Sequence, residues 1–293
     1  YRGGIAENLG VDYESLRKVN PKIIYSTVNG YGLTGPFSEY PAFDPLIQAQ
    51  GGAMKDQGGS GDPVFLRIAA SDYSSAILSA YGIVSALYYR SRHNEGQHVE
   101  ISLVNAAFAY QAAEYFNYPN KPTKPRLSSV GQSVDYRLYK AEDGWFFLSC
   151  KEDIEWNKMC HAVGMSGLAI HNKESRAENQ DVLNQKLESL FISDQVSVWI
   201  NIFRKSGVKC ATNKSLRAIH DDPQAHSLGL ITENDSYNLG RIKLQGLPFR
   251  FSRTPGKLDL PAPDHGEHTD QVLGELGFLE ENIVTLRTAR IVG

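Results

Sequence analysis

The chain has 293 residues, of which 41% are hydrophobic and 22% charged, enough apolar material for one large or two ordinary folded domains. Its formal net charge of −3 at pH 7 offers no general attraction to nucleic acid or to acidic membranes, which sets aside polyanion binding as a main function. No apolar run approaches the roughly 20 residues that span a bilayer, and no secretory pattern opens the sequence, so a soluble cytoplasmic protein is expected.

Residues 6–20 read as a short helical region, ended by Asn20-Pro21 because the residue before proline avoids the α region. Residues 23–28 read as a buried strand that runs into the glycine-rich loop Asn29-Gly30-Tyr31-Gly32-Leu33-Thr34-Gly35-Pro36. In α/β proteins such strand-end loops are where ligands bind. A helix is expected over residues 46–54 and a flexible stretch over 56–62. Gly58-Gly59-Ser60-Gly61 lacks the spacing of a phosphate-binding loop.

An apolar run over residues 64–70 predicts a strand that gives way through Ser71 to a helix over 72–90, patterned by Ile77, Leu78, Tyr81, Val84, Leu87 and Tyr88. Ser71 is expected to cap this helix, with Asp72 in its first turn, where free N–H groups and the macrodipole favour an ionised side chain. Two readings of Asp72 stand side by side: ordinary capping chemistry, or an ionised carboxylate poised in a cleft as a nucleophile. Arg90, Arg92 and His93 then complement the helix dipole at its far end.

A strand alternating Val99, Ile101 and Leu103 with polar neighbours follows, then a helix over residues 105–115. Strand and helix thus alternate, which argues for a mostly parallel sheet with helices packed on it. Three prolines within residues 117–125 mark a semi-rigid linker. Beyond it, residues 136–140 and 145–150 flank Asp143-Gly144 in a hairpin pattern, and residues 194–205 form a helix with Val196, Trp199, Ile200 and Phe203 on one face. A second proline-rich stretch over 248–263 reads as an extended arm, and a last helix spans 269–276. The domains expected are a large α/β part over 1–123, a linker over 124–134, a small domain over 135–246, and a C-terminal arm and helix over 247–293 that returns to the large domain. Cys150, Cys160 and Cys210 form no C-x-x-C pair and read as free thiols, while His265, Glu267 and His268 read as structural, so no metal site is expected.

Taken in order, several segments together resemble the class III CoA-transferases, the family of formyl-CoA transferase and carnitine CoA-transferase. They are Asn20-Pro21-Lys22-Ile23-Ile24-Tyr25, the loop from Gly30 to Pro36, the box Ala42-Phe43-Asp44-Pro45-Leu46-Ile47-Gln48-Ala49, the Asp72 helix, Gly96-Gln97-His98-Val99, and Pro263-Asp264-His265-Gly266-Glu267-His268-Thr269. The resemblance implies a Rossmann-like large domain, incomplete at its N-terminus by roughly a hundred residues, plus a smaller α+β domain. It implies an interlocked homodimer whose connecting arms are the two proline-rich segments. It also implies no permanently bound cofactor, with a coenzyme A thioester as substrate, an acyl-CoA donor and a carboxylic acid acceptor.

Residue by residue, the resemblance makes Asp72 the catalytic nucleophile that attacks the donor thioester, giving an aspartyl anhydride and then an aspartyl-CoA thioester. Arg2, Asn8, Gly30, Phe43 and Asp44 fall on substrate- or CoA-binding positions. Asp44 orients a reacting group or caps the helix ahead of Pro45, and Phe43 packs on substrate or in the core. Related acyl-CoA racemases need a histidine where Phe43 stands, and a phenyl ring is neither acid nor base. Asn8 and Tyr40 stand where basic residues are usual in the family, and Ser71 replaces a glycine before the nucleophile. The alternatives are a racemase or isomerase of the same superfamily, and a non-catalytic CoA-binding or scaffolding relative.

Overall fold

The computed structural model describes residues 4–59, 61–116, 118–120, 128–236, 239–258 and 262–293. The first helical region is two short helices, α1 (Ile5–Asn8) and α2 (Tyr13–Val19), rather than one. Gly10 adopts a left-handed φ of 67° between them, and Asp12 then starts α2 afresh by accepting from the Ser15 N–H at 3.0 Å. Strand β1 (Ile24–Asn29) follows after Asn20 turns extended ahead of Pro21.

The expected helix over 46–54 is also two, α3 (Asp44–Gln50) and α4 (Ala53–Gly58), broken at Gly51-Gly52. Helix α4 takes in part of the stretch expected to be flexible. Helix α5 (Ala70–His93), strand β2 (Gln97–Ser102) and helices α6 (Leu103–Tyr110) and α7 (Ala112–Tyr115) complete this part. β1 and β2 pair in parallel, Ile24 opposite Gln97 through Asn29 opposite Ser102, as the alternation of strand and helix predicts.

No strand forms over residues 64–69. Phe65 and Ile68 are exposed, and the carbonyls of Leu66 and Ile68 accept from the Gln48 side chain instead of from a neighbouring strand. An apolar run signals burial only where a sheet edge is there to receive its backbone groups.

Helix α5 inverts its expected face. Ser75, Ser79 and Ala86 are buried, whereas Ile77, Tyr81, Val84 and Tyr88 are exposed. The small residues bring helix and sheet close: the Ser79 hydroxyl lies 2.9 Å from that of Ser26 on β1, and a Cβ on Gly82 would sit 2.6 Å from Cγ1 of Val99 on β2. A local core forms around Ile47, Leu103 and Ala107.

The following segment builds a second, larger core. Strands β3 (Gly131–Ser133), β4 (Tyr136–Lys140) and β5 (Trp145–Ser149) are antiparallel, with Lys140 opposite Trp145 across the expected Asp-Gly turn. Helices α8 (Asp153–Ala162), α9 (Lys173–Glu178), α10 (Gln180–Phe191) and α11 (Val196–Lys205) precede β6 (Lys209–Thr212), which pairs with β5. Val196, Trp199, Ile200 and Phe203 are buried on α11 as its periodicity predicts, in one cluster with Tyr139, Phe146, Phe191 and Trp156. All three cysteines are free, and burial pushes the thiols of Cys150 and Cys160 up, the latter to about 12.

The chain folds as two compact units, Tyr1–Thr212 and Asn213–Gly293. The second unit holds α12 (Leu216–Ile219), α13 (Pro223–Ser227), the antiparallel pair β7 (Ile231–Ser236) and β8 (Gly240–Gln245), α14 (Thr269–Glu275) and α15 (Glu280–Thr288). Residues 117, 121–127 and 259–261, within the two proline-rich stretches, lie outside the described residues. Among the described residues no helix is long and apolar enough to cross a membrane, and no group of three or more metal-ligating side chains comes together.

Candidate active site

The loop after β1, the Tyr40-Pro41-Ala42 segment and the start of α5 form a cavity of about 440 Å³, lined by Asn29, Gly30, Tyr40, Ala42, Asp72 and Leu103 among others; Phe43 and Asp44 do not line it. Asp72 is its one charged lining residue among the described residues. The loop is pinned from two sides: the Gly32 N–H donates to the Asn29 side chain at 2.6 Å, and the Leu33 N–H to Glu100 on β2 at 2.8 Å. Tyr40 is held at the rim by an edge-to-face contact with Phe37, ring centroids 5.6 Å apart.

Gly30 is required by a close approach. A Cβ there would overlap the Cβ of Ala42, well inside any real carbon–carbon contact. Gly30→Ala is therefore expected to cost about 1–3 kcal/mol in urea denaturation through overpacking. Adding Ala42→Gly should restore the parental midpoint; a single variant as stable as the parent would refute the contact.

Asp72 is the third residue of α5, and its helix start differs from the expected one. Ala69 occupies the cap position and supplies no side-chain bond, and Ser71 is buried inside the first turn, so Ser71 is not the cap. The capping acceptor comes from another helix: Asp44 Oδ1 accepts from the Ser71 N–H at 2.7 Å. Asp44 thus caps a helix, though not its own, where Phe43 holds the cap position without a side-chain bond. Asp44 is only 3% exposed and its other oxygen accepts from Gln48 Nε2.

The Asp72 carboxyl is held above its ordinary value of 3.8, first by partial burial and then by the charge of Asp44. Both effects favour the neutral acid and oppose the pull of the helix N-terminus. The result is a carboxylate less stabilised by its surroundings than a free one, hence more reactive once ionised.

The other expected site residues are dispersed. Phe43 is 60% exposed, so it is not core packing within this chain. Asn8 is exposed at the end of α1 and does not line the cavity. Arg2 lies outside the described residues.

The family model for CoA-transferase family III matches residues 1–269. The chain belongs to CoA-transferase family III. Membership makes it an enzyme of the CoA-transferase class, with the mixed α/β fold of that family. The succinate–glutarate CoA-transferase of Agrobacterium fabrum is 31% identical over 290 residues, covering 95% of this chain and 71% of that protein. The acetyl-CoA:oxalate CoA-transferase of Acetobacter aceti is 27% identical, covering 86% of this chain and 66% of that protein. A CAIB/BAIF family protein from Brucella suis superposes with a TM-score of 0.80 at 28% identity, over 93% of this chain and 73% of that one.

Two polar residues at or behind this cavity escape a reading of the sequence. Gln48 stands there only as part of a motif, and its position four residues after Asp44 on one helix face is the available signal. Asn29 reads as loop, yet its Oδ1 holds the Gly32 turn while its Nδ2 is buried without a partner. A larger cleft of about 600 Å³ lies elsewhere, lined by Asp135, Lys151 and Arg176. Its buried guanidinium makes four hydrogen bonds to protein partners, and none of the expected site residues lines the cleft. Size alone does not make it the reacting site.

Proposed function

We propose that this chain moves CoA from an acyl-CoA thioester to a free carboxylic acid through covalent intermediates on Asp72. The observation that carries the reading is the carboxylate itself: accessible, at a helix start, destabilised as an anion, and the only charge lining its cavity among the described residues. A bare carboxylate needs no separate base because it has no proton to lose.

In this mechanism a carboxylate oxygen of Asp72 bonds to the thioester carbonyl carbon as the C–S bond breaks, giving a mixed anhydride and the CoA thiolate. The thiolate attacks the Asp72 carbonyl, releasing the donor as its carboxylate and leaving an aspartyl-CoA thioester. The acceptor carboxylate then attacks that carbonyl and frees the thiolate again. Attack of the thiolate on the acceptor's carbonyl forms the new acyl-CoA and restores Asp72. No water is consumed, so the lining of Leu33, Ala42 and Leu103 serves the chemistry by limiting hydrolysis.

Relatives named for succinyl-CoA, glutarate, acetyl-CoA and oxalate support small carboxylic acids as donor and acceptor. Phe43 has no proton to exchange, which disfavours α-carbon racemisation. The same reading makes the working enzyme a soluble, cytoplasmic interlocked homodimer with no permanently bound cofactor.

The test is single-turnover labelling with a panel of acyl-CoA donors, with the adduct located on the Asp72 peptide by mass spectrometry. Adduct formation should rise with pH, because only the anion attacks. Its acid limb should lie above the ordinary aspartate value of 3.8, since burial and Asp44 both raise the group. No adduct from any donor sinks the proposal; a limb at or below 3.8, with the fold intact by circular dichroism, refutes the electrostatic account.

A further inference from the structure

We propose that Gln48 is a positioning residue for the Asp72 nucleophile, acting through the backbone that delivers Asp72 to the cavity. The inference rests on the reading of Asp72 above.

Gln48 is completely buried on α3, and its Nε2 faces three oxygens: Ile68 O at 3.1 Å, Leu66 O at 3.2 Å and Asp44 Oδ2. All three only accept, so the amide is fixed in one orientation; turned over, Oε1 would confront three oxygens. Its two N–H groups are shared among them.

What these contacts hold is specific. Residues 64–69 have no strand partner, and the Gln48 amide takes the carbonyls that a ladder would otherwise bond. Ile68 lies four residues before Asp72. Asp44 completes the brace from the other side, with Oδ2 on Gln48 and Oδ1 on the Ser71 N–H, one residue before Asp72. The path from Ile68 to Ser71 is thereby held at both ends by one i, i+4 pair on α3.

Gln48 Oε1 and Ser71 Oγ are both buried and without a partner among the described residues, while the Gln48 donors serve three acceptors that an apolar residue at position 48 would leave without them. Buried polar groups left in this state beside a reactive side chain point to geometry retained for the chemistry.

The test compares Gln48→Met, which keeps length but has no donor, with Gln48→Glu, which replaces the donors by oxygens, and includes Asp72→Asn as a control. Both Gln48 variants should lower kcat and the single-turnover rate of adduct formation by about 10²-fold, the scale expected for a reacting group displaced by about 1 Å. The KM for acyl-CoA should stay within about threefold, since the lining of the cavity is unchanged. A folded variant that reacts within about threefold of the parent overturns the inference, and so does loss of fold in both variants, which would make Gln48 a purely structural residue. Parental transfer in Asp72→Asn would instead refute the nucleophile itself.

Discussion

Asp72→Asn is expected to abolish CoA transfer and, at neutral pH, to make the folded chain harder to denature. The amide matches the carboxylate in shape, and the Ser75 hydroxyl bonds the Asp72 backbone carbonyl rather than its side chain, so the start of α5 should survive the change. What is lost is the anion. Without it no anhydride forms, and the rate should fall by about 10⁴-fold or more, as when other covalent nucleophiles are removed. The stability change follows from linkage. A carboxyl whose folded-state value exceeds 3.8 is favoured as the neutral acid in the folded protein, so the folded state binds more protons than the unfolded one between the two values. Stability contributed by this group therefore falls as pH rises through that window, and its cost is present in full at pH 7. Asparagine removes the cost there and changes nothing below pH 3.8. Urea midpoints at pH 7 and well below pH 3.8, with transfer assayed on the same preparations at pH 7, check both halves. Undiminished transfer would sink the nucleophile; a lower midpoint at pH 7 would sink the electrostatic account of it.

The same opposition of function and stability explains what can be read from sequence. Hairpin β4–β5 and helix α11 are legible because their patterns are local: Asp-Gly in a turn, and Val196, Trp199, Ile200 and Phe203 at helical spacing. Asp72 is legible as a candidate only through the order of motifs around it, since a serine-aspartate pair at a helix start has an ordinary explanation.

Its supporting shell is not legible. Asp44 caps α5 across 27 residues of sequence, and no local rule connects an acid before one proline to the amide of Ser71. The absent strand over residues 64–69 has the same cause, because a side chain twenty positions upstream of Ile68 takes its backbone carbonyl. Helix α5 misleads for a different reason. Its largest apolar residues, Ile77, Tyr81 and Tyr88, face away from the sheet, while the serines and Gly82 permit the close approach. Periodicity identifies a helix but does not say which stripe its partner wants.

Arg176→Met should be strongly destabilising although it lies outside the candidate site. The side chain is 1% exposed and makes four polar contacts: Asp135 at 2.8 Å, Asp153 at 2.6 Å, the Lys151 carbonyl at 2.6 Å and the His171 carbonyl at 3.1 Å. Burial works against its charge, but hydrogen bonds from the guanidinium to Asp153 and Asp135 outweigh it, and its pKa stands above the ordinary arginine value. Its guanidinium also lies 5.3 Å from the ring centre of Trp156, a member of the larger of the two cores of this unit. One planar fork thus ties the start of β4 to α8 and to the turn before α9, a geometry that lysine cannot reproduce. Methionine fills much of the volume but leaves the carboxylate of Asp135, itself 6% exposed, without its cation. Breaking a buried pair from one side costs about 3–5 kcal/mol, far more than the intact pair contributes relative to an apolar replacement. Asp135→Asn in the same chain removes the stranded charge and should recover part of that loss, with the two carbonyls left unpaired accounting for the remainder. Urea denaturation of the single and double variants measures both quantities. A single variant within about 1 kcal/mol of the parent, or a double variant no more stable than the single, would show that Asp135 finds solvent or another donor when the guanidinium is gone.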